Sequence, residues 1–118
     1  SRSLPVNARI GGISVKENQI LVIIKEPGEA PRVEPLFDND LKAFQKAVGG
    51  YIETVTLATD LVIICNEEGR LQGLPHNTTV FGVDFCGTII AAGVKGEEFA
   101  SIKASVVPTV LRALGGTA

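Results

Sequence analysis

The stretch VGGYIETVTLATDLVIICNEEGRLQGLPHN, Val48 to Asn77, runs a helix stop, two strands and a polar turn together without a break, and its reading decides the fold. Tyr51 to Ala58 and Leu61 to Asn66 are rich in β-branched residues, and only Thr59-Asp60 separates them. So short a link cannot hold a crossover, so the two strands run antiparallel. The second is apolar at both parities, which predicts a strand covered on both faces at the centre of a sheet. Glu67-Glu68-Gly69-Arg70 reads as a turn with glycine at a positive-φ position, and Leu71 to Leu74 leads into a polar loop at Pro75 to Thr79.

Upstream of this stretch, Leu41, Phe44, Ala47 and Val48 recur at helical spacing. Asp38-Asn39-Asp40 supplies oxygens for an N-cap, and Gly49-Gly50 stops the helix through a left-handed cap. Gln19 to Lys25 is a buried strand, bounded by Asn18 and by Glu26-Pro27-Gly28. Pro27-Gly28 has the chemistry of a type II turn, so Pro31 to Leu36 returns as a hairpin partner. Pro31 and Pro35 confine that partner to a sheet edge. Downstream, Cys86 to Val94 is expected as a further strand whose small residues admit a close neighbour, and Glu97 to Ile102 as a short helix. Val107, Val110, Leu111 and Leu114 form the stripe of a last amphipathic helix, with Pro108 in its first turn and Gly115-Gly116 as its stop.

These elements predict an α+β fold, a single domain over residues 19–118 with a mainly antiparallel sheet and helices packed on it. Residues 1–18 read as an N-terminal arm or edge strand, with Ala8 to Val15 as the strand-like part. A chain of 118 residues is long enough to bury a core, and no Ser-, Pro- or Gly-rich run serves as an interdomain linker. Ser1 reads as a remnant of tag cleavage.

The stretch Val48 to Glu53, followed by Ile64 to Gly69, Leu71, Gly73 to Pro75 and Asn77, resembles a domain-of-unknown-function family of small proteins carried by bacteriophages, plasmids and other mobile elements. The motif is V-G-G-Y-I-E, then I-C-N-E-E-G-x-L-x-G-L-P-x-N. The resemblance implies a fold and a mobile-element setting, with host cytoplasm as the location, and no reaction.

Composition narrows the function classes. A net charge of −2 and a sequence pI near 5.3, with Lys and Arg scattered, argue against a protein that grips a nucleic-acid polymer. The apolar runs are too short to cross a bilayer, and no leader opens the chain. Cys65 and Cys86 lie in apolar strand-like runs and read as reduced core thiols, as in a cytoplasmic protein. Hydrophobic residues make up 45% of the chain and the mean hydropathy is +0.28, high for so small an interior. A homo-oligomer is therefore expected, with Cys86 to Val94 and the C-terminal stripe as candidate contact surfaces.

The chemical inventory is thin. His76 is the only histidine and no close CxxC or HxxxH spacing exists, so neither a metal site nor a cofactor is predicted. A thiol within an apolar strand lacks the setting that makes a thiolate, and Glu67-Glu68 and Glu97-Glu98 diverge in direction, so no catalytic residue is assigned. The candidate ligand residues are Tyr51, Asn66, Arg70, Gln72, His76, Asn77, Thr78 and Thr79. Arg70 can fork onto a phosphate, Asn and Gln can read a base or ribose edge, and Tyr51 can stack. The ligand expected on these grounds is a small anionic, nucleotide-like molecule. The expected function is non-catalytic sequestration of a nucleotide-derived host signal, as a form of counter-defence. The alternative is an inhibitor or adaptor that blocks a host protein through an apolar patch, and an enzyme ranks third.

Overall fold

The computed structural model describes residues 7–10, 13–16 and 18–115. Two four-residue strands, β1 (Asn7–Ile10) and β2 (Ile13–Lys16), pair with each other antiparallel. The expected Ala8 to Val15 run is therefore two short strands, while Ser1 and the Gly116 of the expected C-terminal stop lie outside the described residues.

The main sheet contains β3 (Gln19–Lys25), β4 (Arg32–Asp38), β5 (Ile52–Ala58), β6 (Leu61–Asn66), β9 (Ile89–Lys95) and β10 (Glu98–Ala100). Its order is β4-β3-β9-β6-β5, with β10 paired to β9, and every pairing is antiparallel. The Pro27-Gly28 turn forms as expected: Glu29 N–H donates to Glu26 C=O at 3.0 Å and Gly28 takes φ 79°. It returns the chain into β4, which is an edge strand. The helix α1 (Leu41–Val48) also matches its sequence signals, since Asp40 Oδ1 accepts from Ala43 N–H at 2.8 Å and Gly49 closes the other end at φ 82°.

Strand alternation sorts the interior into two buried clusters. Val22, Ile24, Val62, Ile64, Ile90 and Ala92 share one with Phe44 and Val48 of α1. Ile23, Ile63, Cys65, Ile89 and Ala91 share the other with Val110 of α2 (Val107–Ala113) and with Leu114. β6 is an interior strand, flanked by β9 and β5, and Val62 through Asn66 are all buried.

Three expectations are corrected. Cys86 to Val94 is not one strand, because Gly87 at φ 83° ends β8 (Val83–Cys86) before β9 begins. Glu97 to Ile102 is not a helix: Gly96 at φ 65° turns the chain back and β10 pairs with β9 from Glu98↔Lys95 to Ala100↔Gly93. Phe99 stands 5.1 Å, edge to face, from Phe44, a distant contact that outweighs local helix preference. The polar loop at Pro75 to Thr79 is instead β7 (His76–Val80), which pairs with β8 as a hairpin.

The surfaces first expected at a subunit contact are consumed within the chain. Ala91, Ala92, Val110 and Leu114 are buried in the two clusters. The close approach allowed by Gly93 is made by the chain's own Ser101 C=O, which leaves no room for a Cβ at that position. Among the described residues, no helix is long and apolar enough to cross a membrane.

A carboxylate-rimmed cleft at the polar turn

Several polar and glycine residues between Val48 and Asn77 serve fold construction. Asn66, at the end of β6, is buried, and its Nδ2 donates to Val48 C=O at 3.1 Å and to Gln72 Oε1 at 3.3 Å. Its Oδ1 accepts from Glu68 N–H at 2.7 Å. One amide therefore ties the C-terminus of α1 to the end of β6 and shapes the turn that follows. Gly50 has to be glycine for the same reason, because a Cβ there would lie 2.8 Å from Asn66 Nδ2. Likewise a Cβ on Gly69 would meet Cys86 C=O at 2.8 Å, so the turn can press on β8 only without one.

Asn77 is also structural. The β7–β8 register shifts between His76 and Thr78, which leaves Asn77 out of the ladder. Its Nδ2 donates to Lys25 C=O and to Gly87 C=O, each at 2.8 Å, and pins the hairpin to the end of β3. Thr79 Oγ1 donates to Asp84 Oδ1 across the hairpin, and His76 Nε2 lies 3.7 Å from the same carboxylate oxygen. The Thr79 hydroxyl holds the Asp84 carboxyl below its ordinary range; partial burial opposes this, and the His76 and Arg70 charges add to it.

The eight predicted ligand residues therefore do not form one polar pocket. Asn66 and Arg70 line a cleft of about 470 Å³, whereas Gln72, His76, Asn77, Thr78 and Thr79 are not among its lining residues. Tyr51 sits just before β5, 71% exposed as a residue, and is also off the cleft. The cleft has an apolar floor of Val55, Cys65 and Phe85, with Leu71 and Val83 at its sides. Around it stand the carboxylates of Glu53, Glu67, Glu68 and Asp84 against the single guanidinium of Arg70.

Of the residues that line the cleft, the expected ligand set contained Asn66 and Arg70; Glu53, Val55, Leu71, Val83, Asp84 and Phe85 are among those it lacked. Glu53 and Val83 reach the cleft only through strand pairing, β5 with β6 and β7 with β8, that brings distant segments together. Cys65 is no nucleophile at neutral pH: burial, with help from the Glu53 charge, pushes its thiol up to about 11. Among the described residues, no group of His, Cys, Asp and Glu is placed to hold a metal ion.

A family model described as a domain of unknown function, DUF3846, matches residues 19–114, from the first residue of β3 to the last buried residue of the C-terminal stripe. The chain belongs to the DUF3846 family. No curated protein and no solved structure matches it. Within this DUF3846 domain, Asn66, Asn77, Gly50 and Gly69 are accounted for by the fold. Glu67, Glu68 and Leu71 are not. Their side chains are exposed, Leu71 to 87%, no hydrogen bond or ion pair among the described residues engages the two carboxylates, and all three line the one cleft.

Proposed function

We propose that this DUF3846 domain acts by binding and not by catalysis, and that the cleft beside the Glu67–Leu71 turn is where it binds. The observation that carries the reading is the convergence of Glu67, Glu68 and Leu71, free of any role in the fold, on an apolar cleft. Charge then selects the ligand. An anion entering this cleft meets four carboxylates and one guanidinium, whereas a Lys or Arg side chain meets complementary charge and an apolar floor for its stem. The partner that fits is a protein segment carrying a basic residue beside an apolar one.

A second feature supports a macromolecular partner. Phe81 and Gly82, at φ 50° and 79°, form the two-residue turn between β7 and β8. Such turns favour Asn, Asp or Gly, and a phenyl residue held at positive φ carries backbone strain. Phe81 is also 81% exposed, so packing within the chain does not repay that strain. An aromatic tip of this kind supplies an anchor for a partner's surface. In the mobile-element setting that the resemblance implies, the protein would occupy and block a factor in the host cytoplasm.

The 470 Å³ volume also falls in the range of small-ligand sites, and Arg70 stands at the cleft, which favours a second reading. There the domain sequesters a nucleotide-derived host signal, with Arg70 forked onto a phosphate. One calorimetric experiment separates the two readings. Basic-apolar peptides, acidic control peptides and a panel of cyclic nucleotides and ADP-ribose derivatives are titrated into wild type, Glu67→Lys/Glu68→Lys and Arg70→Ala. The protein-binding reading expects basic peptides to bind, with at least tenfold loss on the double charge reversal and little change on Arg70→Ala. Nucleotide binding abolished by Arg70→Ala reverses that preference. A chemically altered ligand would identify an enzyme, and an absence of binding in every arm refutes the site.

A further inference from the structure

The two edges of the main sheet are built differently. β4 carries Pro35 inside the strand, follows Pro31, and bears Arg32, Glu34 and Asp38. Proline and charge are the devices that keep an open edge from recruiting another strand. β5, at the opposite edge, reads Ile-Glu-Thr-Val-Thr-Leu-Ala and contains no Pro, Lys or Arg. Its one irregularity is a register shift between Thr56 and Ala58, which leaves Ile52 to Thr56 as a regular edge. Glu53, Thr54 and Thr56 are exposed, so no described part of the chain covers these side chains.

We propose that β5 pairs antiparallel with β5 of a second copy, joining two sheets into one and two clefts into one site. The pairing is chemically self-complementary. A two-fold axis normal to the sheet keeps every side chain on its own face, so only registers centred on a residue are allowed. Centred on Thr54, the strand sets Thr54 beside its copy, Glu53 beside Val55 and Ile52 beside Thr56. Centred on Val55, it sets Val55 beside its copy, Thr54 beside Thr56 and Glu53 beside Leu57. Threonine and β-branched cross-strand pairs are favourable, and in neither register does Glu53 oppose its own copy. The like-charge clash that would forbid self-pairing arises only in a register centred on Glu53.

This contact reaches the candidate site. Glu53 and Val55 line the cleft, and they sit on the strand that forms the junction. The second copy's Glu53 and Val55 extend the apolar floor and its acidic rim across the two-fold axis. A partner segment that crosses the axis meets both clefts together.

The test uses the full chain. Light scattering coupled to size exclusion over a dilution series, together with sedimentation, should give a dimer whose dissociation constant rises at least tenfold on Thr54→Lys. Thr54 is exposed, so the circular dichroism spectrum should be unchanged in that variant, and so should the melting temperature at protein concentrations where both variants are monomeric. Separately, Thr54→Cys or Val55→Cys should form a disulfide-linked dimer on mild oxidation, the two variants distinguishing the two registers, while wild type under the same conditions does not. A monomeric wild type overturns the proposal. So does a dimer that Thr54→Lys leaves intact and that neither cysteine variant crosslinks. Because the readout is mass and crosslinking, failure here is distinct from failure of the cleft to bind a ligand.

Discussion

Asn66→Ala separates a structural asparagine from a ligand residue. In the folded chain the Asn66 amide serves Val48 C=O at the end of α1, Gln72 Oε1, and the N–H of Glu68. Gln72 is exposed, and water replaces its lost partner at little cost. Val48 C=O and Glu68 N–H are left unpaired at a position where Asn66 is only 6% exposed. Each unsatisfied group costs about 1–2 kcal/mol, so the expected loss is about 2–4 kcal/mol, set against a typical total of about 5–15. With a urea dependence of about 1.5–2 kcal/mol per molar, the midpoint should fall by about 1–2.5 M. The chain has one tyrosine and no tryptophan, so far-UV circular dichroism is the appropriate probe. Gly50→Ala should act in the same direction, since its methyl would displace the Asn66 amide. An Asn66→Ala variant that unfolds at the wild-type midpoint would refute the reasoning and return Asn66 to the list of ligand residues.

Ile63→Asp should leave no folded protein, because Ile63 is fully buried and an unpaired carboxylate there costs several kcal/mol; hydrogen exchange of the wild type should accordingly be slowest in β6. Phe81→Asn should raise stability by about 1 kcal/mol in thermal melts by relieving the positive φ, while weakening any partner that uses the aromatic tip. Cys65 should resist alkylation at neutral pH under native conditions and Cys86 should react first, as followed by mass spectrometry. With the Cys65 thiol pushed up to about 11 by burial, its contribution to stability is complete below the ordinary thiol range and is lost as the pH climbs toward that value. For Asp84 the sign is opposite: its carboxyl is held low by Thr79, so stability is complete above the ordinary carboxylate range and is lost as the pH falls through the lowered value. Asp84→Asn should flatten that acid dependence in the exchange rates of the β7–β8 hairpin.

What was legible in the sequence is what neighbouring residues decide. Asp40, Gly49, Pro27 and Gly28 act on backbone groups within four residues of themselves, and the helix and the turn that they predict both form. The β5–β6 pairing follows from the brevity of its link. The β7–β8 hairpin was hidden because Phe81 occupies a turn position whose usual sign is Asn or Gly. β10 was hidden because its pairing with β9 and the contact of Phe99 with Phe44 are made across the fold. The candidate site was partly legible for the same physical reason. Asn66, Asn77 and Thr79 read in the sequence as candidate ligand groups, whereas the partners that the fold gives them are Val48, Lys25, Gly87 and Asp84, reached only once the sheet has formed.

The division within one short stretch bears on where function lies. A buried amide with several partners, or a glycine with a backbone oxygen in its Cβ position, is fixed by the fold whatever the protein does. Exposed carboxylates and an exposed leucine are not: solvating Glu67 and Glu68 needs no cleft, and Leu71, left in water, contributes none of the burial free energy that holds the fold together. On the proposed protein-binding reading, a partner would gain that burial by covering Leu71 and supplying positive charge to the rim. If β5 joins two copies, the rim is doubled and the partner bridges two acidic clefts, which makes affinity steeply dependent on the length of the bridging segment. The fold's construction and the site's chemistry thus rest on different residues of the same turn, and Asn66→Ala should change stability where Glu67→Lys/Glu68→Lys changes binding.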